Sequence, residues 1–229
     1  MQKLEIQFFM GIDVQIKRGC PFLILDNKAS CLSSGWLNGD SNNEICKDLI
    51  RVINEFEKKG IENLAIGIDS PRIPLSSPRH HYWDGNRGHW RSRRMGEKGY
   101  GRHCEVILKA LNLANPQWTP TGENCPEWMQ LGFSLFDCLR KREGVFEVFP
   151  SASYSILKGR STPKVTIDFS NFVPGPKDMI DACVSAITVL EFIKGRGCEV
   201  GGGDDLGKII LPGLLGVGDT HPVFRWPDK

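Results

Sequence analysis

Apolar residues in this chain follow two periods, and the alternation between them predicts an α/β protein. Residues 4–13 read as a strand that closes on the continuous run Phe8-Phe9-Met10-Gly11-Ile12 before Asp13. Residues 18–26, which include Cys20-Pro-Phe-Leu-Ile-Leu-Asp26, and residues 28–37 predict two more strands. Three strands before any helix suggest an antiparallel meander. Ser41-Asn-Asn-Glu44 reads as a capping box with Ser41 at the N-cap. Ile45, Leu49, Val52, Ile53 and Phe56 follow at helical spacing until Gly60 ends the helix. Residues 63–69 are apolar almost throughout, as expected of a central strand covered on both faces.

The pattern then breaks. Residues 70–100 carry many Pro, Gly and basic residues without sustained periodicity, and loops of that length are usually functional or disordered. A helix is expected over 102–113. Another begins at Pro126, with Trp128, Leu131, Leu135, Phe136 and Leu139 as its stripe, and ends near Gly144. Val145 to Phe149 predicts a short strand stopped by Pro150. A Pro-containing connection leads to a helix from about Lys177 to Lys194, and Lys208-Ile-Ile-Leu211 is a possible last strand. No internal repeat is visible. The chain reads as one domain over 1–229, with a basic excursion at about 70–100 and a C-terminal extension at about 196–229.

Four aspartates occupy telling places in this pattern. Asp13 and Asp69 each end an apolar strand, where a carboxylate is costly to desolvate unless a cation or hydrogen bonds compensate it. Asp178 and Asp181 fall three apart in the first turn of the last helix, so they share a face. The macrodipole alone favours acids there. Together the four can form one hard, oxygen-rich pocket suited to Mg²⁺ or Mn²⁺. A pair of such ions suits phosphodiester hydrolysis. The expected arrangement has Asp13 bridging two ions, with Asp69 and Asp178 or Asp181 each completing one coordination sphere. Glu147 alternates with Phe146 and Val148, and is either a supporting residue of the site or the solvent-facing residue of a short strand. Lys177 reads as a solvated helix-end lysine.

Several short motifs carry a resemblance. Met10-Gly-Ile-Asp13, Ile66-Gly-Ile-Asp69-Ser-Pro71, Phe146-Glu-Val-Phe-Pro150 and Asp178-Met-Ile-Asp181-Ala resemble, in order, a large bacterial and archaeal family of unknown function whose members are described as predicted nucleases with an RNase H fold. Gly101-Arg102-His103-Cys104-Glu105 looks like that family's R-x-C-[DE] element, and Glu127-Trp128-Met129 through Gly132 like its next helix. The Asp178–Asp181 spacing also resembles the last acidic motif of Holliday-junction resolvases. The resemblance implies an RNase H-like α/β fold, a mixed five-stranded central sheet flanked by helices, with the first and fourth strands adjacent. It also implies a metal-dependent nuclease acting through Asp13, Asp69, Asp178 and Asp181.

Charge changes the picture only locally. The whole chain carries +2, but residues 79–103 hold seven Lys or Arg against Asp84 and Glu97, a local +5 that leaves −3 for the remainder. These cations are Arg79, Arg87, Arg91, Arg93, Arg94, Lys98 and Arg102, interleaved with Tyr82, Trp83, Trp90 and Tyr100. Cations tracking phosphates beside aromatics that stack on bases suit single-stranded or distorted nucleic acid. A solvated loop, or one docked on the acidic remainder, is the plainer alternative. His80, His81, His89 and His103 do not make a convincing zinc set, since only two are close and adjacent side chains point apart.

Eight cysteines without a C-x-x-C pair favour buried thiols in a reducing compartment. The start of the chain is too interrupted for a signal peptide, and no apolar run reaches membrane-spanning length, so a soluble cytoplasmic protein is expected. Gly202-Gly-Asp-Asp-Leu-Gly-Lys208 fits a phosphate-loop pattern, but Ile209 replaces the Mg²⁺-holding hydroxyl and two acids would repel phosphate, so a turn is expected. Two rival functions stand beside the nuclease. One is a catalytically silent nucleic-acid-binding or regulatory module. The other is a phosphotransferase of the actin–sugar-kinase type, although Val14-Gln15-Ile16 lacks the hydroxyls and glycine that class places after its first aspartate.

Overall fold

The computed structural model describes residues 6–61, 63–158, 176–218 and 220–227. Residues 4 and 5 of the first expected strand, and the connection at 159–175, lie outside them. Within the described residues, seven strands form one mixed sheet and five α-helices surround it.

The meander forms as expected. Strand β1 (Phe8–Asp13) pairs antiparallel with β2 (Cys20–Asp26), which pairs antiparallel with β3 (Cys31–Leu37). Helix α1 (Asn42–Glu57) starts at Ser41, whose Oγ accepts from the Glu44 N–H at 3.3 Å. The Glu44 carboxylate reaches back one residue further than a simple box, accepting from the Asp40 N–H at 2.8 Å. Strand β4 (Leu64–Asp69) then enters parallel to β1, and β7 (Val145–Glu147) parallel to β4.

The sheet does not stop at five strands. Cys198–Gly201 forms β8 and Lys208–Leu211 forms β9, an antiparallel pair that joins β7 through β9 and gives the order β3-β2-β1-β4-β7-β9-β8. The C-terminal extension is therefore partly sheet. Its strands are four residues each, too short for alternation to mark Cys-Glu-Val-Gly as a strand. The turn between them is the stretch that imitated a phosphate loop, with Gly202 and Gly207 at positive φ. The basic excursion is likewise ordered: His81–Asp84 (β5) and His89–Ser92 (β6) pair as a separate hairpin.

Helices cover both faces. α1 and α3 (Glu127–Cys138) bury Leu49, Ile53, Leu131 and Leu135 against Met10, Ile12, Ile24 and Ile66. α5 (Pro176–Ile193) buries Met179, Cys183, Ala186 and Leu190 against Phe9, Leu23, Leu25 and Ala65 on the opposite face. α2 (His103–Ala110) packs with β8, β9 and the short 3-10 turn at Pro222–Phe224 in a third cluster. α4 (Pro150–Leu157), which was not expected, uses Pro150 at its first turn, where a missing N–H costs nothing. No helix among the described residues is long and apolar enough to cross a membrane.

Two glycines explain where α5 sits. Gly11 and Gly67 are register partners on β1 and β4. A Cβ on Gly11 would lie 2.0 Å from the Ala182 carbonyl oxygen, and one on Gly67 would lie 2.6 Å from Val189 Cγ2. The pair forms a trough that admits the helix backbone. This sets the Asp178–Asp181 turn over the end of β1.

Candidate functional site

Asp13 and Asp69 are the last residues of adjacent parallel strands and lie directly opposite in register. Such strands are about 4.7–4.9 Å apart. At that separation the charge of Asp13 opposes ionisation of Asp69. Behind Asp69, α3 approaches through Gly132, where a Cβ would fall 1.7 Å from Ser70 Oγ. The Glu-Trp-Met…Gly132 and Asp69-Ser-Pro motifs therefore meet in space.

The electrostatics follow from burial. Asp13 is 5% exposed. Desolvation raises its carboxyl to about 6; a hydrogen bond from Gln15 opposes this, and the nearby charges of Asp181 and Asp178 add to it. Asp69 keeps some accessible surface, but its carboxyl is densely enclosed. Desolvation, then the charges of Asp13 and Asp181, hold it well above the usual carboxylate range. The structure thus brings Asp13, Asp69 and Asp181 into one electrostatic cluster, with Asp178 at its margin.

Three of the four acids also have a protein partner outside the cluster. Gln15 Nε2 donates to Asp13 Oδ2 at 2.9 Å. Tyr154 Oη donates to Asp181 Oδ1 at 2.8 Å, and Lys177 Nζ to Asp181 Oδ2 at 2.5 Å. Arg18 lies 3.5 Å from Asp178. Lys177 is thus paired, although its side chain remains 81% exposed. Gln15, Arg18 and Tyr154 were not anticipated. Pro150 at a helix start could have announced α4, but nothing local in the sequence places Tyr154 against Asp181. Among the described residues no three His, Cys, Asp or Glu side chains stand in a ready ion-holding group.

Glu147 is not a solvent-facing strand residue. It is 2% exposed and enclosed by cationic and backbone donors. Arg102 Nη1 donates to its Oε2 at 2.8 Å, Arg102 Nη2 bonds its Oε1, and the Arg72 N–H donates to Oε2 at 3.0 Å. Arg102 also grips Glu105 Oε1 at 3.0 and 3.1 Å, and Glu105 accepts from the Thr119 N–H at 2.9 Å. The Arg-x-Cys-Glu and Glu-Val-Phe-Pro motifs therefore form one buried ion network beside β4, where Glu147 pairs in register with Ile68.

The basic segment divides by environment. Arg102 is 1% exposed and Arg79 is 9% exposed, so neither is a surface phosphate contact as expected from the sequence. Arg91 is held by Glu97 through bonds of 2.5 and 2.9 Å. Arg87, Arg93, Arg94 and Lys98 are exposed. Trp90 packs edge-on against Trp83 and Trp226, and its indole N–H donates to the Pro222 carbonyl at 3.1 Å. It anchors the hairpin to the C-terminal tail. All eight cysteines are free thiols, and burial raises Cys20, Cys104 and Cys183. Compared with models of protein families, with curated proteins and with solved structures, the chain finds no match.

Proposed function

We propose that this protein is a divalent-metal-dependent nuclease with an RNase H-like core. The observation that carries the reading is the register pairing of Asp13 with Asp69 at the carboxyl ends of adjacent parallel strands, with Asp181 of α5 in electrostatic contact with both. Ligands of α/β sheets gather at such strand ends. The order β3-β2-β1-β4-β7, with only β2 reversed, supports the same core, to which β9 and β8 add an extension.

The donor set fits a hard dication. Its oxygens are carboxylate oxygens, and the like charge of neighbouring acids adds to burial in raising Asp13 and Asp69. Asp13, Asp69 and Asp181, with Asp178, would hold Mg²⁺ or Mn²⁺. Such ions supply Lewis acidity and a water of lowered pKa. Binding would favour the ionised forms of Asp13 and Asp69, whose carboxyls burial holds above the usual range, and would loosen Lys177 from Asp181. Tyr154 and Gln15 orient the two acids on which both events turn, and the Arg102–Glu147 network fixes the neighbouring strand. Lys177 and Arg18, once released, face the same solvent as an approaching phosphate.

The test is a cleavage screen over single-stranded, duplex, hybrid and branched DNA and RNA with Mg²⁺ and Mn²⁺. Wild type should cut at least one class, and Asp13→Asn or excess EDTA should abolish cutting. Equal cleavage by wild type and Asp13→Asn overturns the assignment. Binding without cleavage by wild type under any metal leaves the silent module, and ATP hydrolysis in place of strand cleavage points to the phosphotransferase.

A further inference from the structure

A cavity of about 570 Å³ opens between the β5–β6 hairpin, the second half of α2 and the loop carrying Trp118. That volume lies within the roughly 300–1,000 Å³ typical of small-molecule sites. Tyr82, Trp83, Tyr100 and Trp118 form its aromatic walls. Arg79, Lys98 and Lys109 border it, and no Asp or Glu lines it among the described residues.

Arg79 sets the site apart from an ordinary basic surface. Its guanidinium carbon lies 4.3 Å from the Tyr82 ring centre and 5.1 Å from that of Trp118. Nε and Nη1 are enclosed and meet no hydrogen-bond acceptor among the described residues. The same chain buries Arg102 too, but there supplies two carboxylates. Around Arg79 the charges of Glu105 and Glu97 act only from beyond hydrogen-bond contact, with Tyr82 adding a nearer favourable contact. A buried guanidinium so weakly paired is costly, and an anion entering beside it offsets that cost.

We propose that this cavity binds one nucleotide unit, its base against the Tyr and Trp rings and its phosphate against Arg79, Lys98 and Lys109. Aromatic walls accept any base face, and clustered cations without a carboxylate select the phosphate. The proposal rests on the nuclease reading only for the unit being part of a strand, since a free nucleotide has the same chemistry. Lys109 lies seven residues, or about 10 Å, along α2 from Arg102, which touches Glu147 beside β4.

Calorimetric titration of the full chain in EDTA tests it. The probes are the four nucleoside 5′-monophosphates, the matching nucleosides, and mixed-sequence tetradeoxy- and tetraribonucleotides. A monophosphate or a tetranucleotide should saturate with a Kd below about 1 mM, and the nucleosides should bind roughly tenfold weaker or worse. Lys98→Ala with Lys109→Ala, both exposed, should weaken binding about tenfold and flatten its salt dependence. Arg79→Gln should weaken it further; if that variant does not fold, the lysine pair still decides. A tetranucleotide binding tighter than any monophosphate assigns the site to a strand, and the reverse order assigns it to a free nucleotide; either upholds the proposal. No saturation by either class, nucleosides binding as tightly as monophosphates, or an unaffected lysine double variant overturns it. Binding is read in EDTA, where no metal-dependent cleavage is expected. Cleavage without nucleotide binding therefore sinks the cavity alone, and binding without cleavage sinks the nuclease reading alone.

Discussion

Burial and neighbouring acids raise Asp13 to about 6, so the folded chain holds that proton more tightly than the unfolded one, whose carboxyl titrates near 3.8. The stability this proton contributes is complete below the unfolded value and is lost as pH rises through the folded one. Metal-free protein should therefore be more stable at about pH 5 than at about pH 7.5, by an amount on the order of 1–1.5 kcal/mol, since pH 5 already lies above the unfolded value. Asp13→Asn should reduce that difference, since the amide keeps the shape without the charge, and should leave the part contributed by Asp69, whose carboxyl burial also raises. Urea unfolding midpoints in EDTA at the two pH values measure it, and parallel profiles for wild type and variant would show that Asp13 is not the group responsible. Asp13 and Asp69 were legible in the sequence because a carboxylate closing an apolar strand conflicts with its own burial. Their partners Gln15 and Tyr154 were not, because which side chain answers a buried acid depends on packing between distant segments.

Between β1, β4 and α5 the geometry is set by what is missing from Gly11 and Gly67. Gly11→Ala would force its Cβ into the α5 backbone, and overpacking of that kind typically costs about 1–3 kcal/mol. Because the same helix carries Asp178 and Asp181, cleavage should fall with stability, and should fall further than in a variant equally destabilised elsewhere. Gly216→Ala, with nothing within 4 Å, is the control and should be close to neutral. Thermal melts and cleavage rates on these proteins and on an equally destabilised core variant such as Leu49→Ala decide; a neutral Gly11→Ala would mean that α5 does not rest in the trough. The buried Arg102 network makes a second demand. Arg102→Met strands Glu105 and Glu147 and should destabilise by about 3–5 kcal/mol in denaturant titration. A loss below about 1 kcal/mol would show that the network is weakly coupled to folding. Long periodic elements such as α1, α3 and α5 were readable from their stripes. β8, α4 and the hairpin strands were not: four to eight residues give too few positions for a period, and pairing partners far along the chain define them.

Over the whole molecule, a near-zero net charge conceals a division that the linear count only partly captured. Seven basic residues between 79 and 103 suggested one continuous phosphate-binding strip. The fold turns Arg79 and Arg102 inward and ties Arg91 to Glu97, which leaves Arg87, Arg93, Arg94 and Lys98 facing solvent. Only charges free of protein partners release counterions when they meet a phosphate, so the salt dependence of binding counts the exposed ones. Neutralising Arg87, Arg93 and Arg94 together should flatten the log–log slope of nucleic-acid affinity against salt by about 2–3, since each contact contributes roughly 0.7–0.9. Arg91→Gln should change the slope much less, because Glu97 already holds its charge. Trp90→Ala should act mainly through stability, by unpinning the hairpin from Pro222 and Trp226. Filter binding across a salt series separates these effects. A triple variant with the wild-type slope would remove the hairpin surface from the nucleic-acid path, while leaving the carboxylate cluster and the metal chemistry proposed for it to be judged on cleavage alone.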